Sequence, residues 1–167
     1  MHLFPLALRL ALILAAAWAP LSVATQSLEE LRARFQRETD PVGRARAFPK
    51  MGDAMLSEVR QLAAKEKFEE ALVMLTSYRD DAQMTYDALK ASRINAERKS
   101  GGFKQFQIHL RRGARAIEDT IASMPFDQRA PFSRIQKDIA RLDQQLIDML
   151  FPRQPGHKEE PKAKNKE

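Results

Sequence analysis

The chain has no cysteine. That absence excludes disulfides, a thiol nucleophile, zinc–thiolate and iron–sulfur sites, haem attached through Cys-x-x-Cys-His, and anchoring as a lipoprotein. Histidine is scarce: His2, His109 and His157 are the only three. Glycine and proline, at 6 and 9, are too few for a collagen-like or low-complexity chain. Strand signals are missing as well, with no sustained period-two alternation and no Asn-Gly or Asp-Gly turn. Neither Gly-x-Gly-x-x-Gly nor Gly-Lys-[Ser/Thr] occurs, so Gly101-Gly102 does not read as a phosphate loop.

What is present is apolar residues and charge. A length of 167 residues with 44% hydrophobic content is enough for one domain with a modest core. Residues 1–24 stand apart from the rest. Arg9 precedes an apolar run from Leu10 to Leu21, interrupted only by Pro20, and Ser22-Val23-Ala24 then has the small-x-small order of a cleavage site. The run is shorter than the about 20 residues that a transmembrane helix needs. The segment reads as a secretory signal peptide, with the mature chain starting at Thr25 or Gln26; retention as an N-terminal anchor is the alternative. Export of a small chain without cysteine fits a bacterial envelope, as a periplasmic or secreted protein, better than an animal secreted domain stabilised by disulfides.

The remainder has the period of helices. Ser27 with Glu30 forms a capping box, and Leu28, Leu31 and Phe35 share a face, predicting a first helix to Arg37. Asp40-Pro41 starts a short helical piece to Phe48, and Pro49 starts or kinks a longer helix to about Ala64. A third helix is predicted from about Lys67 to Glu97, stopped by Ser100-Gly101-Gly102. A fourth spans Phe103 to Ser123, with Gly113 marking a close helix contact. The last runs from Asp127 to Leu150, where Phe132, Ile135, Ile139, Leu142, Leu146 and Met149 alternate three and four in the manner of a coiled coil. That seam could pair within one chain or between two, which leaves a homodimer open. From residue 152 onward the chain is charged, lacks large apolar residues and reads as a disordered tail. The fold expected over residues 25–151 is all-α, an antiparallel up-and-down helical bundle of four to five helices.

The stretch from Leu62 to Leu72 (LAAKEKFEEAL) resembles the inner turn of a tetratricopeptide repeat, with Phe68, Ala71 and Leu75 at its apolar positions. Val59 and Gln83 depart from the pattern, and the match covers about one repeat where such folds stack about three. The resemblance implies a single helical hairpin. Residues 38–41 (ETDP), 102–105 (GFKQ) and 148–152 (DMLFP) also resemble a group of exported helical bacterial proteins, which implies export and a helical fold but no mechanism.

Catalytic material is thin. His109, the only histidine inside the expected domain, has Gln105, Phe106, Arg112 and Gly113 at helical ligand spacing, and no Glu-x-x-His exists. It reads as a surface or boundary residue. The carboxylates Glu66, Glu69, Glu70, Asp80, Asp81, Asp87, Glu118 and Asp119 lie opposite the apolar seams and read as solvated surface. Neither catalytic residues, nor a metal site, nor a cofactor are expected. The distinctive feature is positive charge. Between Arg93 and Arg115 stand seven basic residues against Glu97 alone, and Arg98, Lys99, Lys104, Arg111, Arg112 and Arg115 form the candidate surface for an anion or a partner. No aromatic platform accompanies them, which disfavours nucleic acid.

These features lead to a non-enzymatic, exported helical interaction module of the bacterial envelope, binding a protein or an anionic envelope component. A periplasmic chaperone-like or stress-adaptor bundle is the alternative, although its Leu-Thr-x-x-Gln signature fails at Arg79. An enzyme of unknown class is a third reading. If the leader is removed, the native protein lacks Trp18 and starts near Thr25. Intact-mass measurement should show this, and tryptophan emission from purified native protein would contradict it.

Overall fold

A computed structural model describes residues 27–152; the expected signal peptide and most of the expected tail lie outside these residues. Five α-helices and one 3-10 turn make up the described chain, with no strand among them. They are α1 (Leu28–Arg37), α2 (Pro41–Ala64), α3 (Phe68–Ala91), α4 (Ser100–Ala122) and α5 (Arg129–Leu150), the turn Phe126–Gln128 preceding α5. The chain is an all-α bundle, and among the described residues no helix is long and apolar enough to cross a membrane.

Ser27 and Asp40 cap the first two helices as the sequence predicts, Ser27 supplying its half of the expected capping box. Ser27 Oγ accepts the amide of Glu30 at 3.2 Å, and Asp40 Oδ2 accepts the amide of Gly43 at 2.6 Å. Helix α2, however, is continuous through Pro49. Proline there deletes one bond to the previous turn. The loss is absorbed because Phe48, Met51 and Met55, all within 1% of full burial, hold both halves in the core. The α2–α3 link is closed by Glu66 in the left-handed region (φ 59°), with the amide of Lys67 donating to Leu62 O at 2.9 Å.

Two further boundaries differ from expectation. Helix α3 ends at Ala91, short of Glu97, because Ser92 Oγ donates to Leu89 O at 2.6 Å and Arg93 turns left-handed (φ 52°). Ser100-Gly101-Gly102 opens α4 where a stop was expected. The reason is space: a Cβ on Gly102 would lie 2.7 Å from Val42 Cγ1 and 2.9 Å from Val42 O. A side chain there would hold the start of α4 away from the start of α2.

Packing follows two hairpins, α2–α3 and α4–α5. Helix α2 lies against α3 and α4, and α5 against α4 and α3, so α3 and α4 occupy opposite corners. Chain direction alternates, yet α2 and α4 run parallel: Val42 meets Gly102, Gly52 meets His109, and Leu56 meets Gly113. The link 92–99 carries the chain along the diagonal, while α1 rests on α2 with Phe35 edge-on to Phe48 at 5.8 Å.

The α5 seam is buried within its own chain, Ile139 at 0% and Leu142 at 2% exposure. It therefore packs intramolecularly and offers no face to a second copy. Ile139→Ala should cost about 2–5 kcal/mol in a denaturant titration. A loss under about 0.5 kcal/mol, the range of surface substitutions, would contradict this core.

Candidate functional site

Two features could carry chemistry, one in the core and one on the surface. The core feature corrects the reading of His109. Its side chain is 1% exposed, because it continues the inward row Gly102, Phe106, His109, Gly113 on α4. Its imidazole faces Phe48 at 5.3 Å between ring centres and pairs with Tyr78 of α3. Nε2 and the Tyr78 hydroxyl are 3.1 Å apart. On the other side, Nδ1 lies 3.4 Å from Asp53 Oδ1 of α2 without an aligned hydrogen bond. A carboxylate beside Nδ1 favours the proton there, which leaves Nε2 to accept from the Tyr78 hydroxyl.

Asp53, His109 and Tyr78 thus have the order of a catalytic triad. Two properties turn the set towards structure. Tyr78 is 0% exposed, so no substrate atom reaches its oxygen. Burial also holds the phenol well above its ordinary value and pushes His109 down to about 4, so both groups stay neutral near pH 7. Asp53 opposes the shift of His109 and Arg112 adds to it. Gly52 and Gly113 provide the room: a Cβ would lie 2.4 Å from His109 Nε2 at the first and 2.5 Å from the Tyr78 oxygen at the second. Among the described residues no cluster of three or more acidic or histidine side chains could hold a metal ion.

On the surface, the six candidate cations fall into two zones. Arg98 and Lys99 sit in the 92–99 link, immediately before α4. Arg46 of α2, absent from the expected set, joins them there. Together with Asp40, Val42, Ile94, Ser100 and Gly101 they line an open groove of about 460 Å³. No side chain caps the start of α4, and Asp40, the one carboxylate in the groove, is engaged with Gly43. Sequence spacing could not reveal Arg46, which lies far from Arg98 along the chain; the signal was Gly102, whose lack of a side chain brings the two helix starts together.

The second zone is the exposed face of α4. Lys104, Arg111, Arg112 and Arg115 are all exposed there, as the stripe spacing requires. Arg112 lies roughly 18 Å beyond Ser100 at the α-helical rise. Arg111 is tied to Asp143 at 3.4 Å, which also accepts from the Gln107 amide, and Arg112 lies 3.9 Å from Asp53. Among the other carboxylates, Asp81 is half-buried, where solvated surface was expected; burial raises its carboxyl above the usual range, with Arg32 opposing.

Comparison with family models, with curated proteins and with solved structures finds no match to this chain.

The depressed His109 value makes stability depend on pH with a definite sign. The unfolded chain binds this proton at the ordinary 6.5 and the folded one only near 4. The contribution is therefore complete above pH 6.5 and is lost as pH falls towards 4, amounting to roughly 3 kcal/mol at about 1.4 kcal/mol per unit. Denaturant midpoints measured from pH 7 to 4.5 should fall for the wild type and stay flatter for His109→Gln. Parallel curves would contradict the buried neutral histidine.

Proposed function

We propose that this chain is an exported, non-enzymatic helical binding module of the bacterial envelope, and that its ligand presents anionic groups to the groove at the start of α4. The carrying observation is the meeting of Arg46 with Arg98 and Lys99 around an uncapped helix start. None of the three cations has a carboxylate partner among the described residues. Three cations and the helix dipole act in the same direction on a negative group, whether phosphate or carboxylate. The groove is shallow and open, which suits a headgroup or a polysaccharide substituent on a larger body better than an enclosed small molecule. The leader-like order of Arg9, the apolar run and Ser22-Val23-Ala24 supports the envelope as the setting.

Binding of this kind decays over a Debye length of about 8 Å at physiological ionic strength. Vesicles containing anionic lipid, or acidic polysaccharide, should bind at low salt and be released as salt rises. Arg46→Gln/Arg98→Gln/Lys99→Gln should weaken binding at least about tenfold, equivalent to 1.4 kcal/mol, with helix content unchanged. Arg111→Gln/Arg112→Gln/Arg115→Gln should bind as the wild type does. Failure of every anionic surface to bind at low salt, or loss of binding only in the second variant, would overturn the assignment to the groove.

A further inference from the structure

The outward faces of α3 and α4 carry opposite charge around exposed apolar side chains. On α4, Ile108 is 54% exposed. Lys104 stands one turn before it and Arg111 one turn after, both exposed. On α3, Met84 is 52% exposed, with Asp80 one turn before and Asp87 one turn after. Val73, 69% exposed, extends the same stripe three turns earlier, beside Glu69 and Glu70.

The two stripes have the same spacing with inverted sign. Lys104, Ile108 and Arg111 are base, apolar, base at intervals of four and three. Asp80, Met84 and Asp87 are acid, apolar, acid at the same intervals. Local pairing consumes only part of this charge. Arg79 takes Asp80 at 2.7 Å, Lys67 takes Glu70 at 2.8 Å, Gln83 donates to Asp87 at 3.1 Å, and on the basic stripe Arg111 is held by Asp143 of α5 at 3.4 Å. Lys104 and Arg115 have no carboxylate partner among the described residues.

A single molecule cannot bring these faces together, because α3 and α4 occupy opposite corners of the bundle. A second copy can. We infer that the chain self-associates by docking the acidic α3 face of one copy on the basic α4 face of the next, with Met84 covering Ile108. The two patches are different surfaces, so the contact is head-to-tail and does not close as a two-fold dimer. Each added copy leaves one free face at either end, and the assembly grows with concentration. The contact is small and largely ionic, hence weak and screened by salt. It is separate from the groove at Arg46, Arg98 and Lys99, so either proposal can fail without the other.

Light scattering of the purified native protein over a concentration series tests this. At about 20 mM salt the mean mass should pass twice that of the monomer at high concentration, and at about 0.5 M salt it should return to the monomer, the Debye length having fallen several-fold. Lys104→Glu/Arg115→Glu and Asp80→Lys/Asp87→Lys should each remain monomeric alone, with wild-type helix content. Mixing the two should restore association, since each then offers a complementary face to the other. Should either reversed variant fold poorly, the neutral pairs Lys104→Ala/Arg115→Ala and Asp80→Asn/Asp87→Asn should lower the mean mass in the same direction. A wild type that stays monomeric at low salt, a mass unaffected by the substitutions, or a mixture that fails to associate would each overturn the inference.

Discussion

The hydrogen bond between Tyr78 and His109 is the constraint around which the molecule is arranged. It crosses the diagonal of the bundle and joins the two hairpins at a point where both partners are out of water. A buried hydroxyl or imidazole without a partner costs about 1–3 kcal/mol, so each of these groups requires the other. Their bulk in turn dictates glycine at positions 52 and 113, on the two helices that face each other beside the pair. Together with Gly102 these residues let α2 and α4 approach closely as parallel neighbours, which is why the α3–α4 connection must travel along the diagonal.

The same arrangement distributes the surface. Close approach of the α2 and α4 starts places Arg46 beside Arg98 and Lys99, so a basic groove arises from the glycine that admits the contact. The diagonal separation of α3 and α4 leaves an acidic and a basic face pointing in opposite directions, each around an exposed apolar side chain. The core thus holds neutral, inaccessible polar groups, while the chemistry available to other molecules is ionic and lies outside.

The helical class and the seam of α5 were legible because both depend on local periodicity, and Ile135, Ile139, Leu142 and Leu146 all face inward as their spacing requires. The first two caps were legible for the same reason. The separate helix start expected at Pro49 does not occur because the cost of proline is met by tertiary burial on both sides, which the local pattern does not display. Gly101 and Gly102 carried a stop signal in isolation, yet Val42, distant in sequence, determines the need for a missing side chain at Gly102. His109 was misread because a metal or catalytic role was sought among its neighbours on one helix, whereas its partners come from α2 and α3. The row Gly102, Phe106, His109, Gly113 was the available sign that it pointed inward. The candidate basic residues were correctly placed at the surface, but their division into two zones depended on helix packing.

The state of the His109 imidazole underlies this arrangement, and nitrogen NMR of the native protein near pH 6 reads it. The ring should be neutral, with the proton on Nδ1 and Nε2 accepting from Tyr78, and should stay so until the pH approaches 4. A ring that titrates near the ordinary 6.5, or one that carries its proton on Nε2, would contradict it.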